Sequence, residues 1–344
     1  MPHMKYKLAL ILLITLPVVT LAQTGGIHSF QNLNSQYNAR TMGLGGDAIT
    51  IYDNDLNLGL NNPAVMNYQM HGRFGFNQSI MASGVNTGAL TYARKIRKTM
   101  GMVHFRYSSY GKMKRTDFDG TDLGTFTPGD FILGASAQRT FNERMSVGAT
   151  LNILYSQLDS YTAFGTSLDI AGLYRDSARN LNIVGVIKNL GVQWKGFTSE
   201  KNPLPLEVQL GISHKLRHAP FRISLVAQHL QKWNLSYADP NAKPRVDPLT
   251  GDTIQVKQSG FFDNLARHAK VQLEILIGKK LQIRTAFDYH RRKELAIVGR
   301  GGLAGFSFGA GMAFKRFSVD YGWYVYSVAG GQHGLTLNFL LSKK

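Results

Sequence analysis

The chain of 344 residues contains no cysteine. That absence excludes disulfide staples, thiolate metal sites and a lipid-modified N-terminal cysteine, none of which a chain this long needs in order to fold. Beyond its first two dozen residues it also lacks any continuous apolar run long enough for a membrane-spanning helix. Charged residues are sparse at 17%, and acidic ones are scarcer still, 21 against 39 basic, which leaves a net charge of +18. A basic balance of this size speaks about partners rather than fold.

What is present starts at the N-terminus. Lys5 and Lys7 precede an apolar run from Leu8 to Leu21, and Thr20-Leu21-Ala22 offers small residues for cleavage before Gln23. This is the layout of a secretory signal over residues 1–22. An exported chain without spanning helices can enter a membrane only as strands. For such a chain anionic lipopolysaccharide is a more natural counter-charge than nucleic acid.

The C-terminal third alternates. Val271, Leu273, Ile275 and Ile277 stand against Gln272 and Glu274; Leu281, Ile283, Phe287 and Tyr289 stand against Gln282, Arg284, Asp288 and His290. Further on, Phe317, Val319, Tyr321, Trp323 and Val325 oppose Ser318 and Asp320, and Leu335, Leu337, Phe339 and Leu341 oppose Thr336, Asn338 and Ser342. Side chains of a strand alternate between faces, so each run has one apolar and one polar face. With 36 glycines, 15 tyrosines and 19 phenylalanines, the composition suits a barrel wall with aromatic girdles.

Runs of strand length centre on Phe76, Thr91, Phe105, Leu133, Leu151, Leu168, Val186, Leu210, Leu225, Ile275, Ile283, Phe308, Tyr321 and Leu337. That gives about fourteen strands. Even-to-odd links are short: the Lys98 region, Asn142-Glu143, Asp176 to Asn180, His218 to Pro220, Lys279-Lys280 and Lys315-Arg316. Most odd-to-even links are longer: Ser108 to Pro128, Gly191 to Pro203, Asn234 to His268 and Arg291 to Gly301. A soluble sandwich also alternates but has no reason to sort its loops by parity. The expectation is therefore an all-β fold, a closed antiparallel transmembrane barrel over residues 69–344 with both termini periplasmic. Glu207, Arg222, Glu274, Arg284, Asp288 and Asp320 point inward in this register, either lining a path or pairing across the lumen.

Residues 23–68 read as turns and short helices rather than wall. Gly43-Leu44-Gly45-Gly46 lacks the Lys-Ser or Lys-Thr of a phosphate loop, and its glycines suit tight turns. Asp53, Asn54, Asp55 and Asn57 open like a calcium loop but lack its glycine and closing glutamate. No metal, cofactor or catalytic residue is expected.

Gly25-Gly26 with Phe30 and Leu33, then Ala39-Arg40, Gly45-Gly46, Asp53-Asn54-Asp55 and Asn62-Pro63-Ala64, resemble the N-terminal signature of the PorQ family. These are outer-membrane components of the type IX secretion system of Bacteroidetes, within the broader FadL-like barrel group. The chain departs from that pattern at Asn38 and Gly43, where serine and alanine are expected. The resemblance implies a fourteen-stranded barrel with the N-terminal segment folded into the lumen as a hatch. It also implies a non-enzymatic role, anchoring a PorZ-like surface protein that takes part in attaching anionic lipopolysaccharide to cargo. Arg40 beside Asp53 and Asp55 suits a hatch held by ion pairs.

Candidate contacts for such a partner, or for lipopolysaccharide phosphates, are Lys112, Lys114, Arg115, Tyr237, Phe261, Phe262, Arg291, Arg292 and Lys293. The alternative function is a channel for hydrophobic small molecules, since the wider group contains fatty acid transporters. A lipid hydrolase would need serine and histidine together on the rim; His229, His268, His290 and His333 and Ser224 and Ser259 are available, but no spacing marks a nucleophile. The last strand ends with Phe339 slightly inset from the C-terminus rather than on a terminal aromatic.

Overall fold

The computed structural model describes residues 27–236, 245–246, 253–254, 260–278, 280–296, 302–327 and 330–341. The signal segment, Gly25, Gly26, Tyr237, Ser259 and Lys279 lie outside them. The chain divides into two units. One takes in Met1–Ile27 and Tyr237–Val256, and its described strands β12 (Arg245–Val246) and β13 (Thr253–Ile254) pair antiparallel. The other, His28–Ser236 with Lys257–Lys344, carries everything that follows.

Fourteen strands close into one antiparallel barrel: β1 (Arg73–Met81), β2 (Asn86–Ile96), β3 (Thr99–Ser109), β6 (Gly129–Thr140), β7 (Met145–Leu158), β8 (Tyr161–Asp176), β9 (Leu181–Lys195), β10 (Glu207–Lys215), β11 (Phe221–Ala227), β14 (Ala269–Ile277), β15 (Leu281–Asp288), β16 (Phe306–Ala313), β17 (Phe317–Ser327) and β18 (Gly330–Leu340). The first and last strands seal it, with Phe76 opposite Leu337 and Asn77 opposite Thr336. Closure leaves no unpaired edge, which is what a sheet in hydrocarbon requires. Leu133, Leu151, Leu210 and Leu225 face outward and exposed, while their neighbours Ser136, Thr150, Gln209 and Ser224 are buried inside. All fourteen strand centres expected from the alternation fall in these strands; the even-to-odd links, all short, share one barrel end, and the long loops share the other with the short links β1–β2, β7–β8 and β17–β18. Among the described residues no helix is long and apolar enough to cross a membrane.

Several details depart from the sequence reading. The loop after β3 carries a hairpin, β4 (Met113–Thr116) with β5 (Asp122–Phe126). β9 runs on to Lys195, so the following loop begins later than Gly191. Strand β15 stops at Asp288, whose carboxylate accepts the Arg291 N–H; Tyr289 and His290 open a helix, not a strand face. Val325 is buried rather than exposed, and a bulge between Val325 and Ser327 breaks the two-residue period at the end of β17.

Three helices complete the unit: α1 (Ala39–Gly43), α2 (Phe261–His268) and α3 (Tyr289–Leu295). Short 3-10 turns, Gln31–Asn34, Leu56–Leu60, Pro63–Val65 and Tyr68–Met70, surround α1 in sequence. They bury their apolar side chains against the inner wall. Leu44, Ile49, Ile51, Leu58 and Val65 cluster with Leu173, Val184, Val186 and Val226 of β8, β9 and β11. Leu56, Met66 and Met70 cluster with Ala93, Met100 and Met102 of β2 and β3. The inner face therefore presents apolar patches to these side chains and polar groups to other parts of the same segment, as where Thr336 accepts the Ala39 N–H at 2.9 Å.

Candidate functional site

The N-terminal segment is tailored at its backbone. Asn38 caps α1 by accepting the Thr41 N–H at 3.0 Å. A Cβ on Gly43 would lie 2.9 Å from the Cα of Gly309 on β16, so alanine does not fit there. Both departures from the family pattern thus have local roles. Gly45 and Gly46 take φ of 77° and 98°, which returns the chain after α1. Asn62 accepts the Ala64 N–H at 2.8 Å and donates to the Ile49 carbonyl at 2.6 Å, so Asn62-Pro63-Ala64 forms a capped turn. Pro63 lies against Gly148 of β7 so closely that a Cβ there would sit 2.4 Å from the Pro63 carbonyl carbon.

Arg40 is the hub of a buried charge network. Its guanidinium meets Asp53 through two bonds, at 3.0 and 2.6 Å, and Asp55 at 3.4 Å. On its other edge it donates to Glu274 of β14 at 3.2 and 3.0 Å. Glu274 also accepts from Arg222 of β11 at 2.6 Å and Arg284 of β15 at 3.3 Å, and Arg284 continues to Asp320 of β17 at 2.7 Å. A planar five-donor group suits such a node, where a lysine would be a point charge. Burial alone would raise the Asp53 carboxyl, but Arg40 holds it well below the usual carboxylate range. Asp55 moves the other way: burial, with Asp320 and Asp53 nearby, pushes it up despite Arg40.

A second network joins Asp47 to Lys188 of β9 at 2.8 Å and to Lys270 of β14 at 2.7 Å. Burial would raise Asp47, yet the two ammonium groups hold it well below its ordinary value. Gln272 donates to the carbonyls of Leu44, at 2.7 Å, and Asp47. Sequence reasoning did not single out Asp47; the available signal was Lys188 and Lys270 at inward-facing strand positions.

Two cavities flank the segment. A luminal cavity of about 310 Å³ is lined by Asp47, Lys188, Glu207, His229, Lys270 and Asp288 together with neutral residues such as Leu33, Tyr37, Leu60 and Gln209. A second, of about 520 Å³, lies by the long-loop rim; Phe30, Met113, Leu158, Ala163 and Phe197 give it an apolar side, and His28, Asp130, Gln193, Glu200 and Asn202 a polar one. His229, on the luminal cavity, bonds Glu207 at 2.6 Å. Burial opposes its charge, but Glu207 outweighs that and raises its pKa above the ordinary value. The ion pair's stabilisation is then fully present below the unfolded value of about 6.5 and fades as pH rises through the folded one. We expect the thermal midpoint of the solubilised protein to fall across that window upward from about pH 6.5, and His229→Gln to flatten the slope.

The remaining sequence candidates separate by place. Lys112, Lys114 and Arg115 are exposed around the β4–β5 hairpin, with Arg115 paired to Asp159. Phe261 and Phe262 are exposed on α2, and Lys293 on α3. Arg292 bonds the carbonyls of Gly302 and Ala304 at 2.7 and 3.3 Å. Arg291 does not belong with them: it is buried, stacked 3.7 Å from the Tyr324 ring centre and bonded to Ser307 at 2.8 Å. On α3 it faces the luminal cavity, so it is not available to an outside partner. Of the histidines, His268 spends both ring nitrogens on the Gln228 and Trp233 carbonyls, and His333 meets the Tyr321 hydroxyl at 2.7 Å. Among the described residues none of the four has a serine hydroxyl as hydrogen-bond partner.

No protein-family model matches the chain, and no curated protein does. Solved structures do. The toluene transporter TodX of Pseudomonas putida aligns with a TM-score of 0.53 at 10% identity, covering 88% of this chain and 96% of its own. The CymD monoaromatic hydrocarbon channel aligns at 0.51 and 14%, covering 88% and 97%. A Pseudomonas aeruginosa FadL homologue aligns at 0.49 and 10%, covering 90% and 99%. At such identities the likeness is one of fold: this chain is an integral outer-membrane β-barrel of fourteen strands, with the fold shared by TodX and CymD.

Proposed function

We propose that the protein is a non-enzymatic outer-membrane channel of the hydrocarbon-uptake kind, taking small hydrophobic molecules into its rim cavity. The observation that carries this reading is the apolar side of that cavity, from Phe30, Met113, Leu158 and Phe197, beside an N-terminal segment that acts as a luminal hatch. An apolar solute gains from leaving water on that side, while the polar groups opposite can fix its orientation. TodX and CymD, which share the fold, are a toluene transporter and a monoaromatic hydrocarbon channel. Cells producing the protein should accumulate radiolabelled toluene faster than cells without it. Met113→Asp with Phe197→Asp should remove most of the gain, because two carboxylates would replace the apolar surface on which a hydrophobic solute leaves water. Equal uptake with and without the protein would end this reading.

A second reading is a surface anchor of the type IX secretion system, PorQ-like, holding a PorZ-like protein and working on anionic lipopolysaccharide. It is favoured by the N-terminal signature and by the β4–β5 hairpin. There Phe118 is 100% exposed at the tip, with Lys112 and Lys114 exposed alongside. In this reading a large soluble surface protein co-purifies in near-equal amount from gently solubilised native membranes. A bare barrel after crosslinking leaves the channel alone.

A further inference from the structure

The barrel wall is unequal in height. β7, β8 and β9 run 14, 16 and 15 residues, whereas β11 has 7 and β15 and β16 have 8 each. At about 3.3 Å per residue and a tilt of about 40°, β11 rises only about 18 Å, short of the apolar band of about 25 Å that such barrels present to lipid. The shortfall lies at the long-loop end, because β11 and β14 meet their short turns at the other. On that side alone the bilayer would face the edge of the wall rather than its apolar surface.

What sits there is apolar. After β11 the chain crosses to β10, where the Leu230 N–H donates to the Val208 carbonyl at 3.0 Å. Trp233, 51% exposed, packs its ring 5.3 Å from Phe261 of α2, and Phe261 lies 5.5 Å from Phe262. Helix α2 has two faces. Asp263 and Arg267 bind α3, which leans over the lumen: the Tyr289 hydroxyl donates to Asp263 at 2.8 Å and Arg267 donates to Glu294 at 2.5 Å. At helical spacing, Phe261, Phe262 and Leu265 project from the side opposite those pairs, all exposed, Phe262 at 81%. From α2 the chain enters β14 directly, and Val271 there is already on the lipid-facing surface.

We propose that α2 and Trp233 form an interfacial belt embedded in the outer leaflet, which supplies the height that β10, β11 and β14 lack. The partner of this aromatic face is lipid. Its exposure to water would otherwise forfeit the transfer energy of three aromatic side chains and a leucine, and the face is continuous with the wall surface that already meets lipid. Aromatic side chains at the headgroup level are the usual boundary markers of such barrels. The ion pairs to α3 hold the helix with its polar side toward the lumen, as an in-plane amphipathic helix needs.

The lack of native cysteine makes the test direct. A nitroxide placed at Phe262→Cys is read in phosphatidylcholine vesicles by its collision rates with oxygen and with a water-soluble nickel chelate. Leu225→Cys on the wall and Phe118→Cys on the hairpin tip are the lipid and water references. The proposal predicts oxygen-favoured collisions at position 262, the same sense as at 225 and inverted from 118. Leu265→Cys serves on the same face if the first variant does not fold. A nickel-favoured label at both positions, whether left bare or shielded only when a protein partner is added, overturns the proposal.

Discussion

Arg40→Ala is expected to unseat the N-terminal segment while leaving the barrel closed. Removal of the guanidinium leaves the part-buried Asp53 with only Arg222, at 3.6 Å, as an ion-pair partner among the described residues, and takes from the buried Glu274 two of its bonds, since Arg40 supplies two bonds to each. Breaking a buried pair from one side costs about 3–5 kcal/mol, more than a well-packed apolar replacement of the whole network would. The barrel itself has little to lose, because Glu274 keeps Arg222 and Arg284. In limited proteolysis of the folded, heat-modifiable form, residues 40–70 should become cleavable at low protease in Arg40→Ala and stay protected in the parent. Arg40→Lys should fall between, as one ammonium cannot serve three carboxylates at these angles. Equal protection in all three proteins would mean that the apolar clusters alone hold the segment.

Gly322→Val should have an effect of similar size by a different route. Gly322 of β17 faces α1, and a Cβ there would lie 2.1 Å from the Ala39 carbonyl oxygen. The opposing atom is backbone, so no rotamer change relieves it. Overpacking costs about 1–3 kcal/mol, with the upper end expected where the opposing atom is backbone, and it falls on the docking of α1 rather than on the strand, whose pairing with β16 and β18 needs no side chain. We expect proteolytic release of the same residues, with an unchanged gel shift on heating. Gly172→Ala is the control, since a Cβ on Gly172 would meet nothing within 4 Å. Loss of the gel shift in Gly322→Val would show that the glycine serves the wall instead.

The wall was legible because its signal repeats. Two-residue alternation and loop parity are each present many times over, so single irregularities such as the Val325 bulge do not disturb the count. The helical elements were less legible. Tyr289 and His290 continue the alternation of β15, and only the cap at Asp288, a tertiary feature of the rim, ends the strand. Arg291, Arg292 and Lys293 read as one basic cluster, yet a seven-residue helix splits them between the lumen and the outside. The Arg40–Asp53–Asp55 association was suggested by residue types, but its wall partners Glu274, Arg222 and Arg284 come from distances of more than 180 residues in sequence that only closure of the barrel brings together. Asp47 had no sequence signal of its own; its meaning lies in two lysines on different strands. The rim cavity is likewise made by loops whose shape no periodicity encodes.

The central claim is that the lumen is filled by the N-terminal segment rather than by water. Single-channel recording of the purified protein in a planar bilayer tests it most directly. The account predicts no steady ion conductance for the unmodified protein, and the appearance of open events in Arg40→Ala. A stable, porin-sized conductance in the unmodified protein would contradict it.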